Sequence, residues 1–344
     1  MIETINLVVA TSTVTQMLFL GFLGFALAMG LTPLYTTIAY KYQWWKKQRT
    51  EDMGGAKAPV YAKLHAAKHK RNIPTMAGVV FIAAIAGVTI IANLDRRQTW
   101  LPLVGMLGAA VVGFIDDWMN IRGSSGIAGM RAKVKFTLHS IVALVGGWWF
   151  YAKLDVTSLN FGFGQVTLGI LVIALFWFVV IATSNAVNIS DGLDGLAGGL
   201  LTSSFAVYTL IAAFEGNYAL AGFCLTIVGA LLSYTWFNIF PARFFMGDVG
   251  SFALGTALGI IALQTDTLYV LPVIGIVYVA EAGSVIINRT SRKLRHGKKV
   301  FLSSPIHHHF EAIGWPETKV TMRFWIIGQV AGVLGLMLFL LGSK

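Results

Sequence analysis

Residues 166–199 read V-T-L-G-I-L-V-I-A-L-F-W-F-V-V-I-A-T-S-N-A-V-N-I-S-D-G-L-D-G-L-A-G-G. The part from 166 to 187 carries no charged residue and has the length, about 20 residues, that a helix needs to cross a bilayer. It runs without a break into Asn185, Asn188, Asp191 and Asp194. An uncharged span that ends on carboxylates decides the class. The chain folds in lipid, and its polar chemistry collects at the ends of its spans.

Stretches of the same kind lie on both sides, at 16–39, 74–94, 100–119, 136–154, 196–214, 218–239, 250–265, 269–288 and 324–342. The run at 250–265 is short and calls for little tilt or a locally thinned bilayer. The expectation is an all-α polytopic integral membrane protein with about ten transmembrane helices, forming one domain over 1–344 because no loop is large enough for another. Composition agrees: 56% of residues are hydrophobic and 12% charged, against roughly a quarter charged in soluble domains. Soluble, disordered, collagenous and coiled-coil classes are excluded on that ground. The first span is not expected to be a cleavable signal, since Met1 to Gln16 contains no Lys or Arg. The single cysteine, Cys224, gives no disulfide framework.

Charge sets orientation. Of 26 Lys and Arg residues, 22 fall in the loops 40–73, 120–135, 240–249 and 289–323; only Arg96, Arg97, Lys153 and Lys344 lie opposite. The positive-inside rule then makes the basic loops cytoplasmic and both termini extracytoplasmic. The +11 net charge therefore reflects topology and contact with the lipid bilayer, and no nucleic-acid partner is expected. Residues 155–167 alternate weakly around glycines and fit a small outer hairpin.

Six acids, Asp116, Asp117, Asp191, Asp194, Asp248 and Glu281, sit at or just inside the cytoplasmic ends of apolar spans. A carboxylate there is costly unless it meets a polar cavity, a metal or a partner. All seven histidines fall on the same side, so an active site at the cytoplasmic face is expected. G-F-I-D-D-W at 113–118 places Asp116 beside Asp117; the pair reads as a general base, as a Mg²⁺-linked phosphate site, or as an ordinary polar helix end. N-A-V-N-I-S-D-G-L-D-G at 185–195 puts Asp191 and Asp194 on one face if helical. It offers more polar groups than the alternative, a helix cap at Ser190 or Asp191, requires. F-M-G-D-V-G-S at 245–251 holds Asp248 at a helix N-terminus, comfortable there by electrostatics alone or a ligand of Mg²⁺. P-I-H-H-H-F at 305–310 has the wrong spacing for structural zinc. It reads as phosphate or nucleotide contact, or as a solvated loop. Lys63, Lys68, Lys70, Arg71, Arg131, Lys133 and Lys135 crowd the same face, and a subset of them converging on the acids would clamp a pyrophosphate.

Taken together and in this order, these motifs resemble the polyprenyl-phosphate N-acetylhexosamine-1-phosphate transferase superfamily. Within it they resemble the phospho-N-acetylmuramoyl-pentapeptide transferase branch. The resemblance is carried by I-P-T-M-A-G at 73–78, F-I-D-D at 114–117, G-M-R-A-K-V-K at 129–135, N-A-V-N-I-S-D-G-L-D-G-L-A at 185–197, F-M-G-D-V-G-S at 245–251 and P-I-H-H-H-F-E-A-I-G-W-P-E-T-K-V at 305–320. Glu281 also matches a glutamate of the family. The chain departs from the family at Ala77, at His139 where a Gln is usual, and at Ser124-Ser125 where a Lys is usual.

The resemblance implies transfer of phospho-N-acetylmuramoyl-pentapeptide from its UDP-linked precursor to undecaprenyl phosphate, giving lipid I and UMP, in the bacterial cytoplasmic membrane. It implies Asp248 as the Mg²⁺ ligand and Asp117 with Asp116 as the base, or as the groups that position the lipid phosphate. Phe245, Asp191 and Asp194, with Asn188 beside them, would line the uridine end. Lys70, Thr75, Lys135, His307, His308 and His309 would contact phosphates or the sugar nucleotide. A single displacement is preferred to a covalent aspartyl phosphate. By analogy a homodimer and inhibition by uridine-like nucleoside antibiotics are expected. Two rivals stand beside this reading. A sister UDP-N-acetylglucosamine transferase is opposed by the 305–320 segment, and an ion-coupled transporter would want its acids at the bilayer midplane.

Overall fold

The computed structural model describes residues 2–45, 72–123 and 129–342, with side chains from Thr11 onward. The described residues form twelve helices and one two-stranded ladder. They run in the order α1 (Ile2–Lys41), α2 (Gly78–Ala92), α3 (Trp100–Arg122), α4 (Ala132–Ala152), β1 (Ser158–Asn160), β2 (Gln165–Thr167), α5 (Leu171–Ser190), α6 (Leu196–Phe214), α7 (Tyr218–Asn238), α8 (Gly247–Gln264), α9 (Leu271–Ile274), α10 (Ile276–Leu294), α11 (Ile306–Ala312) and α12 (Glu317–Gly342). Seven of the helices (α1, α3, α5, α6, α7, α8 and α12) are long and apolar enough to cross a membrane. The chain is a polytopic helical membrane protein.

Helix α8 lies at the centre, packed against α3 and α5, with α2 on a further side. Every residue from Val249 to Leu263 is buried. Without a water-driven force between helices in lipid, close packing of small residues holds such a bundle. Gly113 of α3 shows this: a β-carbon there would overlap the carbonyl oxygen of Asp248. That approach brings the end of α3, with its two aspartates, to the start of α8.

Two spans differ from the sequence expectation. The expected span 74–94 is helical only over the 15 residues of α2, because the chain before it is irregular, with Met76 at φ of 74°, and bonded elsewhere. Thr75 N–H donates to Trp44 O at 2.7 Å, Phe245 N–H to Pro74 O at 2.8 Å, and Ala77 N–H to Phe245 O at 3.0 Å. These bonds fasten 74–77 beside the F-M-G-D segment. The expected span 269–288 is divided at Gly275 into the single turn α9 and the longer α10, which continues to Leu294.

Helix α10 is turned inside out relative to a helix in water. Its buried stripe is polar (Glu281, Ser284, Asn288, Ser291), while Val279, Ile286, Ile287 and Leu294 are exposed. This suits a helix with lipid on one side and a polar cluster on the other. At the opposite end of the bundle, β1 and β2 pair antiparallel with Asn160 opposite Gln165, matching the expected hairpin. Asp266 fastens it by accepting from Asn160 N–H at 2.7 Å and from the Gln165 side chain.

Candidate active site

Four elements deliver one cluster. Helix α3 supplies Asp116 and Asp117 in its last turns, α4 supplies Lys135 in its first turn, α5 supplies Asn188 near its end, and α8 supplies Asp248 at its start. Lys135 Nζ donates to Asp116 Oδ2 at 3.0 Å and to Asp248 Oδ2 at 2.8 Å. One ammonium thus bridges two carboxylates that would otherwise repel. Asp116 is held further by Met130 N–H at 2.7 Å and by Asn120 Nδ2 at 3.2 Å. Asn188 Nδ2 donates to Ser251 Oγ at 2.8 Å and to Asp248 Oδ1 at 3.3 Å. Of the two bridged carboxylates, the Asp248 side chain is 15% exposed and that of Asp116 only 3%. Asp248 is therefore the one open to a ligand.

Asp117 has a different place. It is fully buried, and its Oδ2 accepts from Val249 N–H at 3.1 Å. A carboxylate from α3 thereby satisfies one of the unpaired donors at the N-terminus of α8, where negative charge is favoured. Gly247 makes room for it. This residue has φ of 76°, and a β-carbon there would overlap Asp117 Oδ2, with Thr75 Oγ1 at 3.1 Å. Thr75 is itself buried beside this junction, and Tyr35 O–H donates to its carbonyl at 2.6 Å. Phe245 is half-buried in the segment bonded to 74–77.

A second cluster forms around α11. The triple histidine is helical, not looped: all three residues lie in α11. His307 Nδ1 is 2.9 Å from Glu281 Oε2, and His308 Nδ1 is 2.7 Å from Glu311 Oε2. Their rings lie 4.1 Å apart between centroids. His309 Nδ1 accepts from Leu302 N–H at 3.2 Å. The two clusters meet through one segment. Asn188 touches Asp248, and four residues later Gly192 lies against His307, close enough that a β-carbon would overlap its Nε2.

Asp191 and Asp194 do not share a helix face, because α5 ends at Ser190 and residues 191–195 turn, with Gly195 at φ of 78°. Asp191 is half-buried. Asp194 points inward: Ala242 N–H donates to its Oδ2 at 2.9 Å, and its own N–H donates to Glu317 Oε1 at 2.6 Å. Lys70, with Lys63, Lys68 and Arg71, lies outside the described residues. Four polar partners escaped the sequence reading: Asn120, Ser251, Glu311 and Glu317. Only Glu311 left a local signal, its i, i+3 spacing from His308 on a helix.

A family model described as glycosyl transferase family 4 matches residues 99–266, which contain α3 to α8. The chain is similar to a phospho-N-acetylmuramoyl-pentapeptide-transferase of Chloroflexus aggregans, 39% identical over 287 residues that make up 79% of this chain and 78% of that protein. It is similar also to the phospho-N-acetylmuramoyl-pentapeptide-transferase of Chloroflexus aurantiacus, 38% identical over 314 residues, 87% of this chain and 85% of the relative.

Proposed function

The chain belongs to the phospho-N-acetylmuramoyl-pentapeptide-transferase family, and we propose that the cluster around Lys135 and Asp248 is where it performs that family's reaction. It transfers phospho-N-acetylmuramoyl-pentapeptide from its UDP-linked precursor to undecaprenyl phosphate, forming lipid I and releasing UMP, and so makes the first membrane-bound precursor of peptidoglycan. The observation that carries the assignment of the site is the Lys135 bridge. Carboxylates from two helices converge on one cation, at 3.0 and 2.8 Å, at the end of an apolar bundle. Such a place suits a polar headgroup that arrives from the lipid and a nucleotide that arrives from water.

The finer topology follows from the same reading. Ten crossings result if α2, α4 and α9–α10 are counted with the seven long apolar helices. Both termini then lie outside the bacterial inner membrane and the site faces the cytoplasm, where the cations lie.

The donor set fits Mg²⁺. Among the described residues, no three His, Cys, Asp or Glu side chains form a ready-made cage. Mg²⁺ does not ask for one, since it binds through one or two carboxylates and completes its shell with water and substrate phosphates. Asp248 would hold the ion. When bound it would neutralise charge on the transferring pyrophosphate.

The protein's own groups account for the rest. The attacking group is a phosphate monoester with a second pKa of about 6, mostly dianionic at neutral pH, so it needs orientation and charge neutralisation more than a strong base. Lys135, with Lys70, would supply positive charge to the phosphates. Asp116 and Asp117 would fix Lys135 and the start of α8. An oxygen of the lipid phosphate attacks the β-phosphorus of the UDP-sugar, the bond from that phosphorus to the UMP oxygen breaks, and UMP leaves with the electron pair. Thr75, Phe245, Asn188, Asp191 and Asp194 would shape the nucleotide end, and His307, His308 and His309 would close it from α11.

The test is UMP release by purified protein in detergent, given UDP-N-acetylmuramoyl-pentapeptide and undecaprenyl phosphate, with Mg²⁺ and with a chelator. Release only with both substrates, lost on chelation and restored by Mg²⁺, is expected. Release unaffected by chelation would overturn the metal assignment. Transfer from UDP-N-acetylglucosamine in its place would overturn the substrate.

A further inference from the structure

His307 is wholly buried, and its ring has one hydrogen bond among the described residues, from Nδ1 to Glu281 Oε2 at 2.9 Å. Its Nε2 has no hydrogen-bond partner there, and neither has Glu281 Oε1. Two buried polar atoms left unpaired are costly, and such a pair persists where something else depends on it. Van der Waals contact alone does not choose between an imidazole and the same ring turned over by half a revolution. The carboxylate does choose, because it can only accept and so keeps the N–H of Nδ1 on its own side.

What the fixed ring touches is the turn after α5. Its Nε2 lies against Gly192, and Cε1 would also lie at 2.7 Å from a β-carbon there. Gly192 follows Asp191 and stands four residues from Asn188, whose amide reaches Asp248. Glu281 itself comes from the buried polar stripe of α10, 26 residues before the histidine it holds. The same stripe anchors the segment leading to α11: Asn288 accepts from Val300 N–H and Phe301 N–H at 3.1 and 2.9 Å.

We infer that Glu281 is a positioning residue that acts through His307, locking the imidazole against Gly192 so that the 191–195 turn keeps the shape that receives the uridine end of the donor. The inference rests on the assignment of that turn to the nucleotide. It gives His307 a supporting part under the turn, apart from any direct contact with phosphate.

The test compares UMP affinity by calorimetry, and KM for the UDP-linked donor, in wild type, Glu281→Gln, Glu281→Leu, His307→Ala and the double variant. The carboxamide oxygen of Gln can still accept from Nδ1–H, so Glu281→Gln keeps both values within about threefold. Glu281→Leu weakens UMP binding and raises KM by tenfold or more while kcat changes less. In the His307→Ala background the second change adds nothing, because the group it acted through is gone. Wild-type affinity in Glu281→Leu, failure of Gln to rescue, or additive losses would each overturn the inference. If Glu281→Leu does not survive in detergent, Gly192→Ala asks the question from the other side: it displaces His307, and wild-type affinity there sinks the proposal. The readout is binding, so a wild type that takes UMP but makes no lipid I would remove the proposed activity and leave the Glu281 result standing.

Discussion

The Lys135 ammonium lies 2.8 Å from Asp248 Oδ2, and the same nitrogen reaches Asp116 at 3.0 Å. The bridge holds the partly exposed carboxylate in place. Asp248→Asn should lower UMP release on the order of 10³-fold, the scale of losing a principal charge-stabilising group, while the protein still elutes as one folded species. Lys135→Met should cost at least 10²-fold. Lys135→Arg should recover little of it, since a planar guanidinium does not replace a compact ammonium between two carboxylates. Full turnover in Asp248→Asn would remove the metal assignment.

Asp117 combines a structural duty with its place in the site. Asp117→Asn keeps an oxygen for Val249 N–H and should leave the unfolding temperature nearly unchanged while reducing turnover. Asp117→Ala takes away the acceptor too, and should cost a further ~1 kcal/mol of stability, the usual worth of a helix N-terminal cap. Thermal unfolding in detergent, measured beside activity on the same samples, separates the two effects.

Gly247 is needed on two counts, its positive φ and the room it leaves for Asp117. Gly247→Ala should destabilise by about 1–3 kcal/mol and reduce activity along with stability, because the new methyl group pushes on the capping carboxylate. A stable and fully active Gly247→Ala protein would contradict the geometry of that corner.

A pH effect is expected far from the site. Glu215, just past the end of α6, is an exposed side chain whose carboxyl is pushed up to about 7, chiefly by partial loss of surrounding water and also by nearby Asp266, against the Asn217 hydrogen bond that favours its charged form. The ordinary value is 4.5. Below that value folded and unfolded chains both carry the proton, and the contribution is whole. As pH rises towards and through 7 the unfolded chain has already released its proton while the folded one must be forced to, so stability falls. Glu215→Gln cannot titrate and should flatten the dependence of unfolding temperature on pH between about 4.5 and 8. An unchanged slope would show that Glu215 does not contribute.

Much of this was legible in the sequence because lipid makes the code simple. A carboxylate such as Asp248 stands out when almost nothing around it is charged, whereas Lys135 is one of seven cations crowding the same face and was set apart only by the family resemblance. What the sequence hid depends on where the chain stops being helical. Asp191 and Asp194 look like neighbours on a helix, but α5 ends at Ser190, leaving Asp191 half-buried in the turn and Asp194 bonded to Ala242. Residues 74–77 look like the start of a span, but their backbone bonds to the Phe245 segment, a pairing between positions far apart in the chain. Glu281 was visible as an intramembrane acid, yet its partner His307 was not, since no local periodicity links a helix to a segment 26 residues later.

Helix α8 has one more consequence. Its amides sit inside a sheath of other helices, with every side chain from Val249 to Leu263 buried, so they can meet solvent only when the whole bundle opens. In deuterium exchange α8 should be the last segment to take up label, with the protection of Val249, bonded to Asp117, tracking global unfolding. The carboxylate at the tip of α8 therefore stands on the most slowly opening part of the molecule, and its lifetime in position is the lifetime of the fold.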